Sequence, residues 1–240
     1  MSTLPQLISP LKIFLDIAEQ NLMLDALQNP LVQGFTTNPS LMRKSGVQNY
    51  KDFSKNLLTK IKKPISFEVF ADDFDSMHIQ ALEISNWGTQ VYVKIPITNT
   101  LGQSSVPLIQ TLSHQGIKLN VTAVFTVKQV LEIALALKNG APSIISVFAG
   151  RIADTGVDPM PIMKSASEIC LATDPNIELL WASSRESLNV MQAKQTGCNI
   201  ITVMPEILKK LHLFNKSLEE MSLDTVQVFK KDAEAAGFSL

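Results

Sequence analysis

Apolar residues along this chain fall into short runs of strand length, separated by longer stretches with helical spacing. The strand-like runs are Lys12–Asp16, Gly34–Asn38, Ile65–Phe70, Val91–Ile97, Lys118–Phe125, Ser143–Phe148, Glu178–Ser183 and Asn199–Met204. The stretch after Phe125 carries the clearest helix signal. Thr126 and Gln129 form a capping box, Val127, Val130, Leu131, Ala134 and Leu135 share one face, and Gly140 closes it. Gly88, Gly116, Gly140 and Gly197 each precede a strand run by two or three residues, where a helix end favours a residue that tolerates positive φ. From Asn215 a last helical stretch sets Val226, Phe229, Ala233 and Ala236 on one face and stops at Gly237. That face either packs on its own domain or docks on a neighbouring subunit.

Eight strand–helix units in 240 residues leave about 30 residues per unit, close to the size of a (β/α)8 barrel. A doubly wound sheet is the alternative, and it would often carry a glycine-rich phosphate loop after its first strand. The ten glycines never occur as Gly-x-Gly, and no Walker-type loop is present. The expected fold is therefore an α/β TIM barrel, a single domain over residues 1–240, with 215–240 as a C-terminal helical tail. No repeat or linker divides the chain.

Composition narrows the function classes. Hydrophobic residues make up 45% and charged residues 18%, enough apolar material for a sizeable core. Lys plus Arg is 21 against 22 for Asp plus Glu, so no basic excess favours nucleic-acid binding. The two cysteines, Cys170 and Cys198, stand far from each other and from metal-site spacing, and read as small core hydrophobes. No apolar run reaches the roughly 18 residues that span a bilayer, and no basic residue precedes Lys12, so there is no charged start before an apolar stretch. A cytoplasmic protein is expected, with chemistry resting on carboxylates, hydroxyls, amides and amines.

In a barrel, functional side chains sit at the C-terminal ends of the strands, and alternation sorts each strand into two faces. In Val91-Tyr92-Val93-Lys94-Ile95-Pro96, the three branched residues face the helices, so Tyr92 and Lys94 face the barrel mouth. A buried lysine disfavours its charged form, and a neutral amine is a nucleophile toward carbonyls. Lys94 could equally snorkel or hold an internal ion pair. Asp16 is a general-base candidate or the cap of a helix over Asn21–Asn29. Glu68, in mid-run, is an acid or base beside Lys94 or its structural partner. Asn120 and Thr122 share a face, with Val121 and Ala123 pointing away, and form either site groups or a satisfied polar layer. Thr37-Asn38-Pro39-Ser40 suits a capped turn. Arg151 and Arg185 follow late strand ends, where two planar forks meet an anion well, although each alone could be a surface pair. The histidines stand singly, Asp72, Asp73 and Asp75 resemble a helix start, and Trp87 and Trp181 read as packing residues.

The segments Lys12-Ile13-Phe14-Leu15-Asp16, Gly34-Phe35-Thr36-Thr37-Asn38-Pro39-Ser40-Leu41, Val93-Lys94-Ile95-Pro96 and Ser183-Ser184-Arg185 together resemble the transaldolase and fructose-6-phosphate aldolase family, especially its short bacterial members. The resemblance implies a barrel with no metal and no organic cofactor. It implies Lys94 as the Schiff-base lysine, Asp16 as the proton carrier in carbon–carbon cleavage, and Glu68 with Thr122 as holders of a proton-shuttling water. Thr37, Asn38, Asn120 and Ser146 would meet the three-carbon unit, with Phe148 beside it, and Arg151, Ser183 and Arg185 the sugar phosphate. Glu68 and Phe148 match the transaldolase branch, whereas the aldolase branch typically has Gln and Tyr there, and often Lys at the place of Arg185. The implied reaction moves a dihydroxyacetone unit from fructose 6-phosphate or sedoheptulose 7-phosphate to an aldose phosphate, in the pentose phosphate pathway. The alternative is an aldolase that releases dihydroxyacetone, and further off a non-catalytic sugar-phosphate-binding barrel. Trp181-Ala182 and Phe125-Thr126 depart from the family's usual residues. Family members often form rings of subunits through the last helix, so a homo-oligomer is expected.

Overall fold

The computed structural model describes residues 3–238. Eight parallel strands close into a barrel in sequence order: β1 (Lys12–Asp16), β2 (Val32–Thr36), β3 (Ile65–Glu68), β4 (Val91–Pro96), β5 (Leu119–Val124), β6 (Ser143–Val147), β7 (Ile177–Trp181) and β8 (Ile200–Val203). β1 pairs with β8 to complete the ring. Helices occupy every crossover and a further helix follows the barrel, so the expected (β/α)8 architecture with a C-terminal helix is present. A short helix, Leu4–Ile8, precedes β1 and was not signalled by the pattern.

Two apolar cores hold the ring. Outward-facing strand residues such as Ile13, Phe35, Phe67, Val93, Ile95 and Val121 are fully buried beneath the helices. Each large side chain removed from water contributes about 1.5–3 kcal/mol. Inside the barrel Phe14, Ile144, Leu180, Ala182 and Ile200 form a second, smaller core, with Tyr92 and Phe148 packed against it. Lys94 lies on the inner side, as alternation predicts. Tyr92 also faces inward but not at the mouth: it lines a hollow at the opposite end of the barrel with Lys12, Phe14 and Glu178. One side-chain layer, about 6.6 Å along a strand, separates it from Lys94.

The strands differ from the sequence runs mainly at their C-terminal ends, where apolar alternation continues into loops that have already left the ladder. β2 starts at Val32 and ends at Thr36 rather than spanning Gly34–Asn38. The alternation also breaks in β5. A bulge shifts the β5–β6 register between Val121 and Val124, and Ala123 adopts φ 58°. The extra residue turns Ala123 toward the mouth instead of away from it.

The helix Val127–Leu137 has the expected Thr126–Gln129 capping box. Its buried residues are Val130, Ile133, Ala134, Ala136 and Leu137, while Leu131 and Leu135 are exposed. The buried face is wider and rotated because this helix packs between the helices Val106–His114 and Met160–Thr173 as well as on the sheet. Gly116 and Gly197 have the expected positive φ; after Leu137, however, Asn139 makes the left-handed turn (φ 60°). At Gly140 the constraint is one of space, since a Cβ there would lie 2.1 Å from Ser113 Oγ and would force that side chain to move.

The C-terminal helix Leu218–Ala235 starts at a capping box between Ser217 and Glu220, and none of its residues is buried. Val226 and Phe229 are 60% and 67% exposed, so the predicted apolar face does not pack on its own barrel. Among the described residues no helix is long and apolar enough to cross a membrane.

Candidate active site at the C-terminal ends of the strands

The mouth of the barrel opens into a cavity of about 490 Å³ lined by residues from every strand or the loop that follows it. Its centre is set by strand register. β3 and β4 place Glu68 beside Lys94, and β4 and β5 place Lys94 beside Asn120. Lys94 Nζ donates to Glu68 Oε2 at 3.0 Å and to the Thr37 carbonyl at 2.9 Å. Its side chain is 9% exposed and that of Glu68 18%. A cation buried this deeply needs a paired and hydrogen-bonded partner, and Glu68 with the Thr37 carbonyl supplies both.

Asp16, at the end of β1, does not cap the next helix, whose N-cap is Glu19. It accepts a hydrogen bond from Thr36 Oγ1 at 2.8 Å, and Thr36 Oγ1 lies 2.6 Å from Thr202 Oγ1. With Thr36 donating to the carboxylate, Thr202 is left to donate to Thr36, giving a polarised chain across β8, β2 and β1. Burial raises the Asp16 carboxyl above its ordinary value, and the charge of Glu68 pushes the same way; the Lys94 charge and the Thr36 hydroxyl oppose it without cancelling it. A carboxyl moved toward neutral pH can both take and return a proton.

A second chain crosses the floor: Ser146 Oγ donates to Asn120 Oδ1 at 2.6 Å, and Asn120 Nδ2 donates to Ser66 Oγ at 2.9 Å. It fixes the Asn120 amide orientation and ties β3, β5 and β6. Thr122, beside the bulge, is buried, and among the described residues its hydroxyl has no hydrogen-bond partner. An orphaned buried hydroxyl that lines a cavity is free to bind what enters it.

The rim is basic and aromatic. The Arg151 guanidinium lies over the Phe148 ring at 5.1 Å, and Phe148 leans on Phe125 at 5.7 Å. Arg185 Nε donates to Asp154 Oδ1 at 3.1 Å, and its Nη2 bonds Asp154 Oδ2. That guanidinium holds the Asp154 carboxyl below its usual value. Ser183 adopts φ 59°, and Ser184 Oγ donates to the Thr202 carbonyl at 2.9 Å, pinning the loop that carries Arg185.

Asp16, Asn38, Glu68, Lys94, Asn120, Thr122, Ser146, Phe148, Arg151, Ser183 and Arg185 all line this one cavity. Asn38 does so while also capping the helix Pro39–Lys44, its Oδ1 accepting from Leu41 N. Thr37 is the exception. It is buried behind the wall, its hydroxyl donates to the Ser66 carbonyl at 2.8 Å, and only its backbone oxygen reaches Lys94. Sequence reading missed Thr36, Ser66, Thr202 and Asp154. Strand parity could have found Ser66 and Thr202, but nothing local marks Asp154 as the partner of an arginine 31 residues away.

The family model for Transaldolase/Fructose-6-phosphate aldolase matches residues 13–240. A protein named probable transaldolase from Methanococcus maripaludis strain C5 is 35% identical over 210 residues, covering 88% of this chain and 93% of that protein. Another of that name, from Thermoanaerobacter sp. strain X514, is 32% identical over 230 residues, covering 96% of this chain and all of the other. Among solved structures, the tryptophan synthase alpha subunit of Campylobacter jejuni superposes with a TM-score of 0.56 at 15% identity, covering 90% of this chain and 95% of that one. At that identity the likeness concerns the fold alone.

Proposed function

This chain belongs to the transaldolase and fructose-6-phosphate aldolase family of enzymes, and on that basis we propose that it is a transaldolase working through a Schiff base on Lys94. The observation that carries the proposal is the buried Lys94–Glu68 pair at 3.0 Å on the floor of the cavity, with Asp16, whose carboxyl is raised by burial above its ordinary value, on the same surface.

In this reading Lys94 Nζ passes a proton to Glu68 and, as the free amine, attacks C2 of a ketose phosphate. The carbonyl oxygen leaves as water, proton by proton, through Glu68 and a water held by the free Thr122 hydroxyl, leaving an iminium. Asp16 takes the proton of the C4 hydroxyl while the C3–C4 bond breaks. The bonding electrons pass into the iminium as an enamine, and an aldose phosphate departs. An acceptor aldehyde then enters, enamine C3 attacks its carbonyl carbon, and Asp16 returns the proton to the new alkoxide. Hydrolysis of the product iminium restores Lys94. Asn38, Asn120 and Ser146 hydrogen-bond the three-carbon unit, and Arg151, Ser183 and Arg185 receive the phosphate, for which planar bidentate forks are suited. Donors are fructose 6-phosphate or sedoheptulose 7-phosphate, and acceptors are erythrose 4-phosphate or glyceraldehyde 3-phosphate, as in the pentose phosphate pathway. Such charged substrates fit a cytoplasmic enzyme.

Transfer rather than release of dihydroxyacetone is supported by Phe148. Its ring offers no hydroxyl to activate water, and it packs against Phe125 and beneath the Arg151 guanidinium. We also propose a homo-oligomer joined through the exposed apolar face of Leu218–Ala235, because an isolated helix with Val226 and Phe229 in water lacks the packing that normally stabilises it.

The test is reductive trapping. Incubation with fructose 6-phosphate and borohydride should leave a glycerol-type adduct on Lys94 in peptide mass spectra, and Lys94→Ala should abolish both adduct and activity. An adduct elsewhere with intact Lys94→Ala activity overturns the mechanism. Free dihydroxyacetone produced at full rate without an acceptor aldehyde assigns the aldolase reaction instead.

A further inference from the structure

Lys94 is held by Glu68, so the position of the Glu68 backbone matters to everything proposed for the site. In a parallel strand successive residues turn their N–H and C=O alternately to the two neighbours. Ile65 N and Val69 N bond Gln90 O and Lys94 O on the β4 side. Glu68, of opposite parity, therefore turns its backbone groups toward β2. No β2 residue pairs with it. The β2–β3 ladder contains only Phe35 with Ile65 and Thr36 with Ser66, since β2 ends at Thr36.

A side chain fills that gap. Tyr50 Oη accepts from Glu68 N at 2.8 Å and donates to Glu68 O at 3.2 Å. One phenol thus does for Glu68 what the missing strand would do, supplying both an acceptor and a donor. Burial pushes the phenol well above its ordinary value, so the donor proton stays on at every physiological pH. The ring is clamped edge-on by Phe67, Phe70 and Trp87, with centroids at 6.0, 4.6 and 5.7 Å. Its backbone opens the helix Tyr50–Lys60, whose cap Asn49 accepts from Asp52 N at 3.0 Å. Tyr50 does not line the cavity.

We infer that Tyr50 is a positioning residue, whose hydroxyl stands in for a backbone strand and fixes Glu68 against Lys94. This rests on the Schiff-base reading above. Its hydroxyl touches neither Lys94 nor the cavity, and both of its hydrogen bonds to Glu68 are to the backbone.

The experiment compares wild type, Tyr50→Phe and Trp87→Phe. Tyr50→Phe keeps the ring and its edge contacts and removes only the hydroxyl. Trp87→Phe disturbs the same aromatic nest and leaves the hydroxyl in place. The expected result for Tyr50→Phe is a kcat about tenfold lower, since a catalytic group displaced by about 1 Å costs up to a hundredfold. KM for the ketose phosphate stays within twofold, and borohydride trapping of dihydroxyacetone on Lys94 slows in step with kcat. Trp87→Phe keeps kcat and trapping within twofold of wild type, whatever its melting temperature. A Tyr50→Phe protein with wild-type kcat and trapping rate overturns the inference, as does a Trp87→Phe protein that slows equally, because packing alone would then explain both. Absence of a Lys94 adduct in wild type is a separate result, which removes the Schiff-base reading and this inference with it.

Discussion

Among the described glycines Gly150 leaves the least room for a side chain, and replacing it tests whether the arginine rim is held as described. A Cβ at Gly150 would lie 1.6 Å from the Ser183 carbonyl oxygen and 2.7 Å from its carbon. Both are backbone atoms, so no side chain can swing aside. To reach the 3.0 Å that a real Cβ tolerates, the two loops must part by about 1.4 Å. The Gly150 N–H to Ala182 O bond, already 3.3 Å, would stretch further. Ser183 has little room to yield, being left-handed at φ 59° and followed by a serine bonded to Thr202. Overpacking of this kind costs about 1–3 kcal/mol, and at about 2–4 °C per kcal/mol for a chain of this size Gly150→Ala should melt roughly 2–12 °C lower. The displacement falls on the loops that carry Arg151 and Arg185, so kcat/KM for phosphorylated substrates should drop about a hundredfold. Trapping of unphosphorylated dihydroxyacetone on Lys94, whose floor is untouched, should continue within a fewfold of wild type. Thermal unfolding, steady-state kinetics and trapping on one preparation decide it. A variant with unchanged melting and unchanged kcat/KM would refute the reasoning.

Three further outcomes are expected. Burial raises the Asp16 carboxyl above its ordinary value of 3.8, so ionising it in the folded state costs stability from that pH upward. Asp16→Asn should therefore melt at or above wild type at pH 7, with the advantage vanishing as pH falls toward 3.8, while cleavage slows by about 10²–10⁴-fold; a variant less stable than wild type at pH 7 contradicts this. Arg185→Ala should raise KM for fructose 6-phosphate about 10–100-fold, the worth of a charge-assisted hydrogen bond, without altering dihydroxyacetone trapping, and an unchanged KM would remove Arg185 from the phosphate site. Wild type should sediment well above the 26.4 kDa of one chain, and Phe229→Glu, which alters no buried contact within the chain, should shift it toward that mass; identical sedimentation of the two would rule out that helix face as the interface.

The barrel was legible because its signal is periodic and local. Eight short apolar runs bounded by turn residues recur along the chain, separated by stretches of helix length, and the outer faces of the strands are mostly apolar. Strand ends were less legible. Phe70 and Asn38 continue the alternation beyond the residues that pair, Asn38 because it lines the cavity and Phe70 because its ring packs on Tyr50. Cavity-lining residues were marked where a polar group broke an apolar strand, as Lys94, Glu68 and Asn120 do. Thr37 misled because it adjoins Asn38 in the same motif yet contributes its carbonyl, and a backbone atom leaves no mark on the sequence. Ala123 escaped parity because a bulge depends on both strands. Tyr50 and Asp154 carried no signal, since each matters only through a partner that folding brings near.

The two hydrogen bonds made by Lys94 Nζ have a consequence in simple proton counting. An ammonium carries three N–H bonds, a free amine two and an iminium one. The resting nitrogen serves two acceptors, the Thr37 carbonyl and Glu68. Once it is bonded twice to carbon it can serve only one. The covalent step would therefore oblige one acceptor to let go, and Glu68 is the one on a side chain, able to turn toward water while the Thr37 carbonyl is fixed by the chain. The carboxylate that holds the amine at rest would be released to handle water at the moment water must be moved, with no separate conformational trigger.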